Sequence, residues 1–381
     1  MNKYISRTAL LLTTTLLIAA TNTADAREQI NIVGSSTVFP FSITVAGKFG
    51  KKTKFKTPKI ISTGSGGGLK LFCKGSGLDT PDIINASRRM KKKEWQKCQA
   101  NGVRKITEAV IGYDGIVLAN ARSAPVFSLS RKQIYLATAA MVPGKDGKLI
   151  KNPYTRWSQI DPSLPDEKIE IFGPPPTSGT RDAFEEIAMG KGAQKFTWIK
   201  KLKGLKKGDP EIAELAKKYS IPAKFLLKNG KPTKGKNVFK KIAYDVREDG
   251  PYIEAGENDN AIVGQLEANP TAVGIFGYSY LDQNKARIKG ARVNGVAPTI
   301  DTIADHSYPV SRSLYFYVKN SHVGSVPGIR QYIAEFMSDD ASGEDGYLAD
   351  KGLIPLPEAD RRKIAADVNA LVPMTGNEKL H

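Results

Sequence analysis

Apolar runs alternate with short polar loops along the first half of the chain. "INIVG" (30–34) is followed by "SST" and then by apolar residues at helical spacing from Val38 to Phe49. "KIIS" (59–62) is followed by "TGSGGG" and by Leu69, Phe72 and Cys73 at the same spacing. "DIIN" (82–85) leads into "ASRRM". "IEIF" (169–172) leads into "GPPPTSGTRDAFEE", where Ala183, Phe184, Ile187 and Ala188 again recur at helical spacing. Strand, polar loop, helix is the βα unit, and its repetition predicts α/β layers with largely parallel sheets. Two longer apolar runs with internal glycines, "AVIGYDGIVLAN" (109–120) and "AVGIFGYSYL" (272–281), read as strands that cross between two units. They predict a discontinuous first domain, 27–114 plus 277–381, and a second domain, 115–276. Two linkers of this kind suit hinge bending.

The ends and the composition change this picture in three ways. Lys3 and Arg7 precede a short apolar stretch and the A-x-A sequence "ADA" (24–26), which reads as a cleavable export signal with the mature start near Arg27. That stretch is too short to span a bilayer comfortably, and no later one is long enough, so an exported soluble protein is expected. About 355 residues remain, too many for one ordinary core. The net charge of +19 favours anionic partners. Export and the lack of a nucleic-acid-binding motif argue against DNA or RNA, leaving a small anion or an anionic envelope surface. Lysines crowd residues 200–241, either as a solvated surface excursion or as an anion-steering or docking face.

Cys73 and Cys98 are the two cysteines. In an oxidising compartment they are expected to form a disulfide, the alternative being two buried thiols. Two cysteines and three histidines (His306, His322, His381) cannot build a Cys/His metal cluster of the usual spacing. No metal, cofactor or catalytic residue is expected.

In α/β sheets, ligands bind outside the carboxyl ends of the strands, where all of these polar loops fall. Each loop also opens a helix, whose first N–H groups and partial positive charge favour an anion. Glycines beside the hydroxyls allow close backbone approach, and Pro40 loses no hydrogen bond in a first turn. Pro174, Pro175 and Pro176 stiffen the approach to Ser178, Gly179 and Thr180, and Arg181 can add a charge-assisted bond. Ordinary N-capping accounts for any one such loop. Three or four at matching strand ends point to a shared anion.

"GSSTVFP", "STGSGGG", "NASR" and "SGTRDAFEE", in this order, together with "EAGENDNAIVGQLEANPTAVGIFGYSYL", resemble the phosphate-binding periplasmic proteins of ABC transporters. The resemblance covers most of residues 29–320. It implies a type II periplasmic-binding fold, two α/β domains joined by hinge strands and closing on one phosphate. It also implies delivery of inorganic phosphate to membrane permease subunits by a monomer with no cofactor. Carried over by motif, Ser36 and Thr37 bind from the first loop, Ser65 from the second, and Ser178, Gly179 and Thr180 from the second domain; Ser87 and Arg88 of the third loop are further candidate binders.

Two departures stand out. Many members place an aspartate after the serine of the third loop, where it accepts the ligand's proton; here Arg88 and Arg89 follow Ser87. Many carry an arginine just before S-G-T, where this chain has three prolines. Arg181, Arg88 or Arg247 is expected to restore the charge. Asp114 either restores the acceptor or caps a turn at the hinge. Contrasting readings are a binder of a related oxyanion, a basic surface adhesin or sensor, and a phosphatase. Against the last, G-x-S-x-G is absent around Ser178.

Overall fold

A computed structural model of the chain describes residues 27–256, 259–378 and 380. The expected export signal lies outside the described residues. The first three apolar runs form strands β1 (Asn31–Gly34), β2 (Lys59–Ser62) and β3 (Ile83–Ala86), all parallel, with β1 in the middle. β3 buries every side chain and β1 all but one. A strand covered on both faces reads as an unbroken apolar run. β2 is the edge strand and leaves Lys59 and Ile61 exposed.

Each strand feeds a helix: α1 (Phe39–Lys52), α2 (Ser65–Phe72) and α3 (Lys92–Ala100). On α1, Phe41, Val45 and Phe49 repeat every four residues and are buried. Burial of side chains of this size is worth roughly 1.5–3 kcal/mol each. Cys73, at the end of α2, is bridged to Cys98 in α3, with their Cα atoms 4.3 Å apart. The expected disulfide is present and ties together the helices that follow the second and third loops.

The next strand, β4 (Ile106–Ala121), is sixteen residues long. Beyond it come β5 (Ile171–Gly173), β6 (Tyr252–Glu254), β7 (Val273–Gly277), β8 (Ile288–Gly290) and β9 (Ser311–Lys319). Their order across the sheet is β6-β5-β7-β4-β9-β3-β1-β2, with β8 beside the end of β4. The first part of β4, to Gly115, runs antiparallel to β9; the second part, from Ile116, pairs with β7. One strand therefore serves two halves of the sheet, each with its own core. Ile32, Phe49, Ile83 and Phe316 belong to the first half. Leu118, Ile171, Phe184 and Phe276 belong to the second.

The second crossing differs from the sequence expectation. "AVGIFGYSYL" holds β7, which lies wholly in the second half, and Gly277 then opens a helix, Tyr278–Gln283. Residues 278–310 bury Leu281, Ile288, Val293, Ile303, Tyr308 and Val310 in the second core. The chain returns to the first half at Val310 and Ser311, where β9 begins. There Ile116 N donates to Val310 O at 3.0 Å, so the two crossings lie side by side.

At the far end of β9, Lys319 is fully buried. Its ammonium donates to Gly75 O at 2.7 Å and to Thr80 Oγ1, with Nζ 4.9 Å from the centre of the Phe72 ring. Burial pushes its pKa down to about 8.

Two outcomes follow. Replacing both cysteines by serine should lower the unfolding free energy by roughly 3 kcal/mol, read from guanidinium titrations; an unchanged midpoint would refute the structural importance of the bridge. Between pH 8 and 10.5 an unfolded lysine keeps a proton that native Lys319 has lost. The unfolded state binds more protons there, so this group makes stability rise with pH across that window. Lys319→Met should lack that rise when unfolding is measured at pH 8 and pH 10.

Candidate functional site

The loops after β1, β2 and β3 leave the sheet at one edge and meet. Gly34 has φ +133°, and a Cβ there would lie 2.1 Å from Asn85 O. Glycine is required for β1 to turn so close to β3. Ser35 N donates to Asn85 O at 2.8 Å, and Ser35 O accepts from Phe39 N at the start of α1. Ser65 opens α2; its Oγ accepts from Ser87 N at 3.0 Å and lies 3.2 Å from Ser87 Oγ. The second and third loops are thus joined through one hydroxyl.

The fourth loop arrives from the second half. Ser178 N-caps α4 (Gly179–Phe184), its Oγ accepting from Thr180 N at 3.2 Å. A Cβ on Gly179 would stand 3.2 Å from Ser36 O and 3.4 Å from Thr37 Cα. The start of α4 therefore sits directly against the first loop. Ser36, Thr37, Ser65, Ser87 and Arg88 line a cavity of about 840 Å³, faced from the second half by Asp182, Glu185 and Glu186.

Charge is arranged around this cavity by arginines. Arg88 holds Glu94 in a two-pronged pair at 2.8 and 2.9 Å. Arg312 has all three nitrogens engaged, with Asp114 Oδ2 at 3.2 Å, Glu186 Oε2 at 2.9 Å and Thr37 Oγ1 at 2.8 Å. Burial pushes the Asp114 carboxyl up, with Arg312 opposing. For Glu186 burial acts upward too, but the charge and hydrogen bond of Arg312 prevail and hold it low. Arg181 turns into the second core. It donates to Glu185 Oε1 at 2.7 Å and to Pro174 O at 3.0 Å, and packs against the Tyr252 ring. Burial raises Glu185 to about 6 despite Arg181. Arg247 is engaged by Asp249 and the Tyr154 carbonyl, among residues that do not line the cavity. Among the described residues no group of three or more His, Cys, Asp or Glu side chains is placed to hold a metal ion. No helix among them is long and apolar enough to cross a membrane.

A family model described as "PBP superfamily domain" matches residues 19–340. The chain belongs to the PBP superfamily. This superfamily chain is 27% identical over 338 residues to protein SphX of Synechococcus elongatus, covering 87% of this chain and 78% of that protein. It is 25% identical over 333 residues to the phosphate-binding protein PstS of Staphylococcus saprophyticus, covering 86% and 80%. Among solved structures, a possible phosphate-binding protein from Planctomyces limnophilus superposes with a TM-score of 0.65 at 23% identity, over 90% of this chain and 98% of that one. An ABC-type phosphate transport receptor from Vibrio cholerae gives 0.51 at 19% identity, over 86% and 100%. The fold is the type II periplasmic-binding fold.

Within this superfamily chain, three of the loops named from sequence meet around the cavity through Ser36, Thr37, Ser65, Ser87 and Arg88; of the fourth, Gly179 packs against the first loop, while Ser178, Gly179 and Thr180 do not line the cavity. Asp114 sits apart from the cavity lining, paired to Arg312. Arg312 itself escapes sequence reading. It lies at the start of β9, and its pairing with Asp114 depends on a strand register that no local pattern reveals. Lys203, Lys236 and Lys240, from the lysine-rich segment, also line the cavity.

Removing Arg312 should leave a poorly hydrated carboxylate without its partner. Arg312→Met is expected to lose about 3 kcal/mol of stability, and Asp114→Asn in the same chain to recover part of it. A double-mutant cycle in urea measures this; additive losses would show that the pair is not coupled.

Proposed function

We propose that this protein captures inorganic phosphate in the cleft and hands it to the membrane permease of an ABC transporter. The carrying observation is the meeting of three hydroxyl-bearing loops around one cavity, with the start of α4, from the second core, packed against the first of them. A tetrahedral anion can take hydroxyl and amide donors from all sides there. The proposed donors are Ser36, Thr37, Ser65, Ser87, Ser178, Gly179 and Thr180. Thr37 Oγ1 already accepts from Arg312, which leaves its proton for the ligand. Arg88 supplies positive charge from the third loop, and Arg312 supplies it beside the first. The names of the PstS relatives support this reading.

The reading includes export through residues 1–26 and two domains, 27–115 with 311–378, and 116–310, divided where β4 changes partner and the chain returns to β9. It is a reading of binding and release, with no bond made or broken.

Phosphate near neutral pH carries a proton and sulfate does not. A carboxylate that accepts this proton meets sulfate with like charge and an unpaired lone pair. Asp114 lies behind the cavity lining with Oδ2 on Arg312, and Oδ1 is the proposed acceptor once the cleft closes on the anion. An unpaired buried group costs about 1–3 kcal/mol, more when charged, so preference for phosphate should reach at least about tenfold.

Calorimetry on ligand-stripped protein with phosphate, arsenate and sulfate tests the function; no heat with phosphate would overturn it. Asp114→Asn is expected to weaken phosphate binding and narrow the preference over sulfate. Wild-type affinity for both ions in that variant would place the acceptor elsewhere.

A further inference from the structure

The cavity is larger than one phosphate ion requires. At about 840 Å³ it lies in the range that holds drug-sized ligands. Four of the residues lining it are lysines: Lys91, Lys203, Lys236 and Lys240. Lys91 sits at the start of α3, beside the third loop. Lys203 follows the helix Thr197–Leu202, and Lys236 and Lys240 lie one turn apart on α5 (Gly235–Ala243). They face the cavity from both halves of the molecule.

Their charge is left over. Of the four carboxylates lining the same cavity, Glu94 is taken by Arg88, Glu185 by Arg181 and Glu186 by Arg312, leaving Asp182. Among the described residues none of the four lysines has an ion-pair partner. Lys203 Nζ donates to Gln194 Oε1 at 3.3 Å and stands over the Phe239 ring; Lys240 stands over the Tyr244 ring. Lys203 and Lys236 are pushed below the usual lysine range, by burial first and then by the charges of neighbouring lysines, Lys91 among them in both cases. The four ammoniums therefore repel one another across a space that a multivalent anion would fill.

We propose that the cleft contains a second anion subsite, formed by Lys91, Lys203, Lys236 and Lys240, which holds the terminal phosphoryl group of a condensed phosphate such as inorganic diphosphate. The first phosphoryl group occupies the four-loop site, so the inference rests on the phosphate reading above. An inorganic chain fits better than a nucleotide. The two aromatic rings lining the cavity, Phe239 and Tyr244, each carry an ammonium over one face, whereas a base needs a free ring face on which to stack.

The test is calorimetry with orthophosphate and with inorganic diphosphate on the wild-type protein and on Lys203→Gln/Lys236→Gln. Both lysines keep more than a third of their surface in solvent, so their desolvation is only partial; folding should survive, and the thermal midpoint checks this. Diphosphate should compete with orthophosphate on the wild type. In the double variant diphosphate should weaken by about tenfold or more, while orthophosphate changes by less than about threefold. Diphosphate that does not bind, or that binds both proteins equally, overturns the subsite. Equal weakening of both anions with slower association means that the lysines only steer, and overturns it too. Failure of orthophosphate alone to bind the wild type sinks the phosphate reading, while a lysine-dependent diphosphate signal beside it keeps the subsite.

Discussion

One guanidinium organises this molecule. Arg312 touches the first loop through Thr37, the crossing strand through Asp114 and the second half through Glu186. Each partner has a reason to need it. Asp114 would otherwise carry charge in poorly hydrated surroundings, and an unpaired buried charge is far more damaging than a paired one; Glu186 is half exposed and gains a bridging partner from the other half. The Thr37 hydroxyl is fixed as an acceptor toward Arg312, so its single proton points elsewhere. The charge needed to orient the first loop is thereby the same charge that holds the two halves in register at the base of the cleft.

The remaining geometry follows from strand direction. Parallel strands deliver every βα loop to the same edge, and each helix that follows begins with unpaired N–H groups. Three loops from the first half arrive this way. The fourth comes from the second half, and Gly179 lets it rest against the Ser36 carbonyl. A larger residue there would have to push the loops apart. The Ser65–Ser87 contact and the Cys73–Cys98 bridge limit relative movement of the second and third loops, so the first-half wall of the cleft is fixed before any ligand arrives.

Much of this was legible in the chain. β1 and β3 stand out because both of their faces are covered, and α1 because its apolar residues repeat at helical spacing. The four loops were legible because hydroxyls and glycines cluster after each strand. The second crossing was not. "AVGIFGYSYL" is apolar but for Ser279, and the change from strand to helix at Gly277 leaves no clear mark in hydrophobicity alone. Charged side chains were the other blind spot. Arg181 is next to three loop residues in sequence, yet its long side chain folds back to Glu185 and Pro174. Arg312 is distant in sequence and comes closer than Arg181 to the first loop, because strand pairing sets Arg312 opposite Asp114. Likewise Lys203, Lys236 and Lys240 look like part of a solvated basic run until the helices that carry them are placed.

The two crossings run side by side, Gly115 opposite Ser311 and Ile116 bonded to Val310. Drawing the halves apart along the strands, or sliding one past the other, would have to stretch both crossings at once and break the Ile116–Val310 bond between them. Bending across both strands at once asks only for small torsional changes, and Gly112 and Gly115 lie where those changes would fall. In the proposed binding cycle the pairing would therefore favour bending over shear and return the first loop and the α4 start to the same contact on closure.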